Sequence, residues 1–284
     1  MKVTNLTVLS HYQAHPLLDA RSEGETTART SPDLNLTTVE VMLSNVGVTF
    51  PSGSWLSWDL VVEIAGDENK CYLIGEGTVR EIRVFSETTN WVRTLYPTES
   101  APTTLVSGML MHRVRDSDPL RDTLEKTKAA QPVVGKVLDT ATGLGYTAIE
   151  AAKTANRVVT VELDPAAIEL ARMNPWSQAL FDNPIIEQHV GHAWDVVEEM
   201  EDGAFSVIIH DPPTISLGGD LYDGEFYGEL FRVLKAGGRM FHYIGDPQSG
   251  SIRKLEKGIM ERLRAAGFKK VVRKPRAFGV TAYK

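Results

Sequence analysis

The sequence predicts an α/β fold, a parallel sheet with helices on both faces and an antiparallel last strand, behind a small, mostly-β N-terminal domain. Three observations predict it. Strand and helix patterns alternate from about Val137 onward, and regular βαβ alternation builds a parallel sheet. The two closing strand patterns are separated only by a short connection at Pro275, which suits a hairpin and not a crossover. Short β-rich runs divided by turn signals fill residues 34–85.

Taken in order, residues 38–43 (Thr-Val-Glu-Val-Met-Leu) and 70–74 (Lys-Cys-Tyr-Leu-Ile) are strand patterns, with turns at Pro51-Ser52-Gly53 and Gly75-Glu76-Gly77 and a short helix over 57–65. Residues 21–32, rich in Ser, Thr and Glu, read as mobile. Residues 96–102 (Tyr-Pro-Thr-Glu-Ser-Ala-Pro) read as a linker. The organisation expected is a first domain over 1–95, a linker and helical lead-in over 96–130, and a second domain over 131–284.

In that second domain, strands are expected at 137–140, 157–162, 185–189, 205–210, 239–244, 269–273 and 278–283. Helices are expected at 146–153, 165–173 (proline in the first turn), 193–200, 223–234 and 251–265. The run 205–210 is nearly all apolar, as a strand covered on both faces requires. Lys235-Ala236-Gly237-Gly238 is a glycine stop for the fourth helix.

Composition narrows the functional classes. No apolar run approaches the roughly 20 residues that span a bilayer. Met1-Lys2-Val3-Thr4-Asn5 lacks the features of a secretory signal. Cys71 is the only cysteine, so neither an internal disulfide nor a cysteine-based zinc site can form. A cytoplasmic location without metal is expected. The net charge of −7 argues against a chain that coats nucleic acid over its whole surface, yet residues from Arg253 onward are strongly basic.

The strongest motif is Val137-Leu138-Asp139-Thr140-Ala141-Thr142-Gly143-Leu144-Gly145-Tyr146. Gly143 and Gly145 let the backbone turn off the strand and approach a ligand, with a helix N-terminus behind them. About twenty residues on, Glu162 ends the next strand, where an acid accepts from ribose hydroxyls, with Leu163 beside it. Gly191-His192-Ala193-Trp194 follows the third strand. Together these resemble the cofactor site of class I S-adenosylmethionine-dependent methyltransferases, with their Rossmann-like sheet. Ala141 stands where that family has its first glycine, and His192 where many members have an acid that bonds the adenine amine. The resemblance implies that Asp139, Ala141, Gly143, Gly145, Tyr146, Glu162, Leu163, His192, Ala193 and Trp194 hold S-adenosyl-L-methionine. Arg113 is expected to reach its carboxylate, and the neighbouring His112 to act as a base.

Asp211-Pro212-Pro213-Thr214 follows the fourth strand. It resembles the D/N-P-P-aromatic loop of enzymes that methylate amine groups in nucleic acids or proteins. That resemblance implies that Asp211 and the proline carbonyls orient a target NH2, so that positioning supplies most of the catalysis. Thr214 stands where those enzymes carry an aromatic ring, a role Phe226 or Tyr227 is expected to fill. His242 and Tyr243, ending the fifth strand, are expected at the cleft edge. The stretch Asp211-Pro212-Pro213 … Leu221-Tyr222 … Phe226-Tyr227 is also similar to spermidine synthase-like aminopropyltransferases. These use decarboxylated S-adenosylmethionine and hold a polyamine with several acids, for which Asp211, Asp220, Asp223 and Glu225 are candidates. Position 210, where that family has a second aspartate, is His210.

The expected function is therefore N-methylation of an amine by a small-molecule methyl donor. RNA is the expected large acceptor because of the basic C-terminal segment, and a homodimer is compatible with the sequence. Aminopropyl transfer to a polyamine is the alternative, and a non-catalytic cofactor-binding partner the second. The C-terminal half resembles predicted methyltransferases frequent in archaea, which share the H-D-P-P motif.

Overall fold

Seven strands make the sheet that carries the predicted motifs: Lys136–Asp139 (β1), Arg157–Glu162 (β2), Ile186–Val190 (β3), Phe205–His210 (β4), Leu234–Tyr243 (β5), Lys270–Lys274 (β6) and Gly279–Tyr283 (β7). The structure, a computed structural model, describes residues 6–75 and 78–284. Met1 to Asn5 and, from the expected turn at 75–77, Glu76 and Gly77 lie outside the described residues. Two compact units divide the chain: Met1–Leu120 with Ala166–Ala179, and Arg121–Pro165 with Leu180–Lys284.

In the second unit the strands lie in the order β3-β2-β1-β4-β5-β7-β6. The first five are parallel, while β7 runs antiparallel to both β5 and β6. The expected mixed sheet is thus present. All six residues of β4 are buried. On one face the helix Gly224–Val233 buries Phe226, Tyr227, Leu230 and Val233. Their spacing puts them on one stripe, which packs with Ile208, Met240, Ile259 and Leu263 into a single core. Each such side chain taken from water stabilises the unit by roughly 1.5–3 kcal/mol.

The glycine stop at 235–238 has a further role. β5 begins at Leu234, paired with Phe205, and its register with β4 shifts before Arg239 pairs with Val207. Residues 235–238 form a bulge, with Gly237 at φ +74°, so the strand starts one bulge earlier than its apolar run suggests.

The first unit is mostly β. One antiparallel sheet joins Thr27–Thr30, Val39–Leu43, Gly47–Thr49 and Trp55–Ser57. The helices His11–Ser22 and Trp58–Ala65 contribute Leu17, Val61 and Ile64 to its core. Ser57 caps the second helix by accepting from the Leu60 N–H, close to the start expected from sequence. Two expectations are corrected here. Residues 21–32 are not a mobile tract: they include the end of the first helix and the strand Thr27–Thr30, and the buried Thr30 hydroxyl donates to the Gln13 carbonyl. Residues 96–102 are not a linker, because they connect two antiparallel partners, Val92–Tyr96 and Thr103–Val106. Ala101 is buried in that connection, and the Thr98 hydroxyl donates to its carbonyl. Polar composition mimics disorder where side chains satisfy backbone groups locally.

Candidate active site

Since β2, β1 and β4 are adjacent and parallel, Glu162, Asp139 and Asp211 come to one edge of the sheet, at the strands' C-terminal ends. This is where ligands sit in open α/β sheets.

Asp139 is fully buried. Its Oδ2 accepts from the hydroxyls of Thr160 at 2.9 Å and Thr147 at 3.1 Å. Burial raises its pKa to about 7, with the Asp211 charge adding to the rise and the two hydroxyls and the Ala141 N–H opposing it. The loop that follows is braced on both sides. Thr140 N–H bonds the Ile209 carbonyl at 3.1 Å and Thr142 N–H the Val161 carbonyl at 2.9 Å.

The two glycines of the loop do different things. Gly143 has φ +52°, and a Cβ there would meet nothing within 4 Å, so it faces open space. Gly145 has φ +78° and starts the helix Tyr146–Ala151; a Cβ there would stand 2.7 Å from Leu180 Cδ2. One glycine keeps the crevice clear, and the other permits packing. Glu162 ties the loop to β2, since its Oε2 accepts from the Gly143 N–H at 2.8 Å and its Oε1 from the Asp164 N–H at 3.0 Å. Ala141 is half-buried, Leu163 exposed, and Tyr146 and Ala193 buried.

His192, at the N-cap of Ala193–Glu198, lies 2.8 Å through Nε2 from Asp220 Oδ2. Trp194 donates Nε1–H to Glu198 at 2.8 Å and stacks on Phe226 at 5.5 Å between centroids.

At the end of β4, Asp211 Oδ2 lies 2.6 Å from Lys126 Nζ. Lys126 also meets Asp122 Oδ2 at 2.9 Å and sits 4.3 Å from the centre of the Tyr243 ring. It is 2% exposed. Burial alone would lower the pKa of the ammonium, but the Asp211 and Asp122 carboxylates outweigh it and hold it above the usual lysine value. Lys126 and Asp122 lie on the helix Pro119–Ala129, which buries Asp122, Thr123, Lys126 and Thr127 while exposing Leu120 and Leu124. That inverted pattern hid both residues from a reading based on apolar periodicity. The available signal was the Asp-Lys pair at i,i+4 among buried threonines.

Several expected site residues have other work. Tyr227 is fully buried, its hydroxyl 2.9 Å from His242 Nε2, so it offers no stacking face to a target, and His242 is core and not cleft edge. Phe226 is likewise buried, against Trp194 and His210. The Pro213 carbonyl accepts from the Tyr222 hydroxyl at 3.0 Å, and buried Pro212 precedes it. Thr214 is exposed and bonded to Ser216. His112 and Arg113 belong to the first unit, where His112 Nδ1 is 2.9 Å from the Thr103 hydroxyl.

His210, not assigned a role from sequence, joins the two loops. It donates Nε2–H to the Leu221 carbonyl at 2.9 Å, leaving Nδ1 to accept from the Thr140 hydroxyl at 2.7 Å. Burial lowers its pKa to about 4, partly offset by the Leu221 bond, so it is neutral.

The comparisons with known proteins agree with this architecture. The model of the methyltransferase small domain matches residues 116–256. The uncharacterized protein MJ1233 of Methanocaldococcus jannaschii is 46% identical over 237 residues, covering 83% of this chain and 80% of that protein. The chain belongs to the class I methyltransferase superfamily. It is also 34% identical over 119 residues to a polyamine aminopropyltransferase of Mycobacterium tuberculosis, covering 39% of this chain and 22% of that protein. The Thermotoga maritima spermidine synthase shares the fold, with a TM-score of 0.55 at 19% identity over 74% of this chain and 76% of that one. Among the described residues, no helix is long and apolar enough to cross a membrane.

Proposed function

We propose that this protein is an S-adenosylmethionine-dependent methyltransferase whose acceptor is an uncharged amine nitrogen. The carrying observation is the ion pair of Lys126 with Asp211, 2.6 Å apart at the end of β4. A site for a cationic polyamine needs acids whose charge is left for the substrate. Here the Asp-Pro-Pro carboxylate already has a buried cation, and Asp220 is engaged with His192. Such a site suits a neutral NH2, to which an oriented carboxylate oxygen accepts a hydrogen bond.

The residues fit the cofactor. Gly143 leaves open space beside the loop, and the Glu162 carboxylate, an acceptor suited to hydroxyl donors, ends the next strand next to it. Asp139, titrating near neutrality within the same edge, adds negative charge when a cation approaches. Bound there, the cofactor supplies an electrophilic methyl group on a positively charged sulfur. The chain's own contribution is to hold the acceptor. Asp211, fixed by Lys126, and the rigid Pro212-Pro213 exit define where the nitrogen stands. His210 keeps the cofactor loop and the acceptor loop in register through Thr140 and Leu221.

Aminopropyl transfer is the second reading, favoured by the likeness to polyamine aminopropyltransferases. Calorimetric titration with S-adenosylmethionine and with its decarboxylated form separates the two, and preference for the decarboxylated form defeats methyl transfer. Radiolabelled methyl donor incubated with RNA, protein and small-molecule fractions then tests catalysis. No labelled product in any fraction favours a protein that only binds the cofactor.

A further inference from the structure

Charge is distributed very unevenly along this acidic chain. Residues 253–284 hold eleven of its 30 Lys and Arg but only two of its 37 Asp and Glu. These residues fold together as the helix Gly250–Ala265 and the strands β6 and β7, with β6 at the edge of the sheet. Among the described residues, Arg253, Lys254, Arg264, Lys269, Lys274 and Arg276 form no ion pair.

Topology ties this basic face to the active-site edge. β7 is antiparallel to β5 and β6, so β6 ends at the same side as β4 and β5, with Tyr243 paired to Gly279 and Gly279 to Lys274. Lys274 therefore stands three strands from His210, about 15 Å at the usual strand spacing. A cavity of about 230 Å³ opens beside it, lined by Pro247, Arg253, Glu256, Arg273, Pro275 and Gly279. Arg273 is held there by Glu256, an exposed guanidinium with fixed direction.

The face is also short of apolar contact surface. Among the described residues from 216 to 284, no large hydrophobic side chain is exposed. A membrane-surface element inserts apolar side chains, and protein interfaces have an apolar centre. A dense set of cations, most of them outside any ion pair among the described residues, without such side chains matches a polyphosphate backbone.

We infer that the face formed by Arg253, Arg273 and Arg276 docks the phosphodiester backbone of a single-stranded nucleic acid and leads it to the sheet edge at Asp211. This inference rests on the amine-methylating reading and names its acceptor as an exocyclic amine of an unpaired base. A single strand is required because an amine inside a duplex must first leave its stack. The acidic remainder of the surface repels the strand elsewhere and steers it to this face.

The test uses the whole chain and labelled single-stranded RNA, single-stranded DNA and duplex DNA of mixed sequence, with binding followed by anisotropy across a salt series. Single strands are expected to bind more tightly than the duplex, the RNA and DNA arms distinguishing the source of the phosphate. The combined variant Arg253→Glu, Arg276→Glu should weaken binding at least about tenfold and lower the salt slope by about 1.4, at roughly 0.7 per lost phosphate contact. Its melting temperature and S-adenosylmethionine affinity should match those of the parent. Equal binding by parent and variant, binding without salt dependence, or equal binding of anionic vesicles overturns the inference. Cofactor binding without nucleic-acid binding defeats this inference alone. Nucleic-acid binding at this face without cofactor binding defeats the methyltransferase reading.

Discussion

Lys126 and Asp211 are separated by 85 positions in the chain, yet their side chains meet at 2.6 Å with Lys126 2% exposed. The contact brings the helix before the sheet to the end of its fourth strand. Replacement Lys126→Met removes the ammonium that the Asp122 and Asp211 carboxylates share. Breaking a buried pair from one side costs about 3–5 kcal/mol. Urea unfolding should show that loss, and adding Asp122→Asn should recover part of it. A loss below about 1 kcal/mol would mean that solvent screens the pair.

Asp211→Ala probes the chemistry with less risk to the fold, because Lys126 keeps Asp122 as a partner. Turnover should collapse while the affinity for S-adenosylmethionine stays within about 1 kcal/mol, since the Asp211 bond to the acceptor matters chiefly in the transition state. Unchanged single-turnover rates would remove Asp211 from the mechanism.

The two loop glycines should separate binding from stability. Gly143→Ala places a methyl group in open space, so it should weaken cofactor binding, with about 1–2 kcal/mol lost to the left-handed backbone. Gly145→Ala carries the same backbone cost and also pushes on Leu180. Thermal denaturation should therefore rank Gly145→Ala as the less stable variant, and calorimetry should rank Gly143→Ala as the more impaired relative to its stability. Equal stability of the two would contradict the packing at Leu180.

Buried titratable groups set the response to pH. Burial keeps His210 neutral down to about pH 4 and pushes the His242 pKa well below its ordinary value, the charge of His210 adding to the effect. Between about pH 6.5 and 4 the unfolded chain binds protons at these two positions that the folded chain does not, so stability falls as pH falls. Asp139 acts oppositely. Its folded pKa of about 7 exceeds its unfolded value, so its contribution is fully present at low pH and is lost as pH rises toward 7. Asp139→Asn should therefore steepen the acid loss of stability, which denaturant unfolding between pH 4 and about 7 would detect. A shallower slope in the variant would show that Asp139 does not hold its proton in the fold.

The strand, loop and helix that carry the residues expected to hold the cofactor were legible because they carry local signals. The loop with Gly143 and Gly145 must leave a strand and enter a helix, and Glu162 must end the next strand; both demands are written in consecutive residues. The acceptor half was less legible. Tyr227 was expected at the cleft but lies in the core on His242, because an amphipathic helix pattern shows which stripe is buried and not how deep each ring goes. His210 read only as a departure from a family pattern, and its bonds to Thr140 and Leu221 appear when three segments are brought together.

By itself the sequence determined the succession of the sheet's strands along the chain, the antiparallel closure and the places of Asp139, Glu162 and Asp211 at strand ends, since periodicity and turn chemistry act within short windows. Only the tertiary structure decided the partners of the charged groups: Lys126 for Asp211, Asp220 for His192, and Glu256 for Arg273 in β6. Electrostatic pairing depends on distance and burial in space, and neither is encoded in the spacing of residues along the chain.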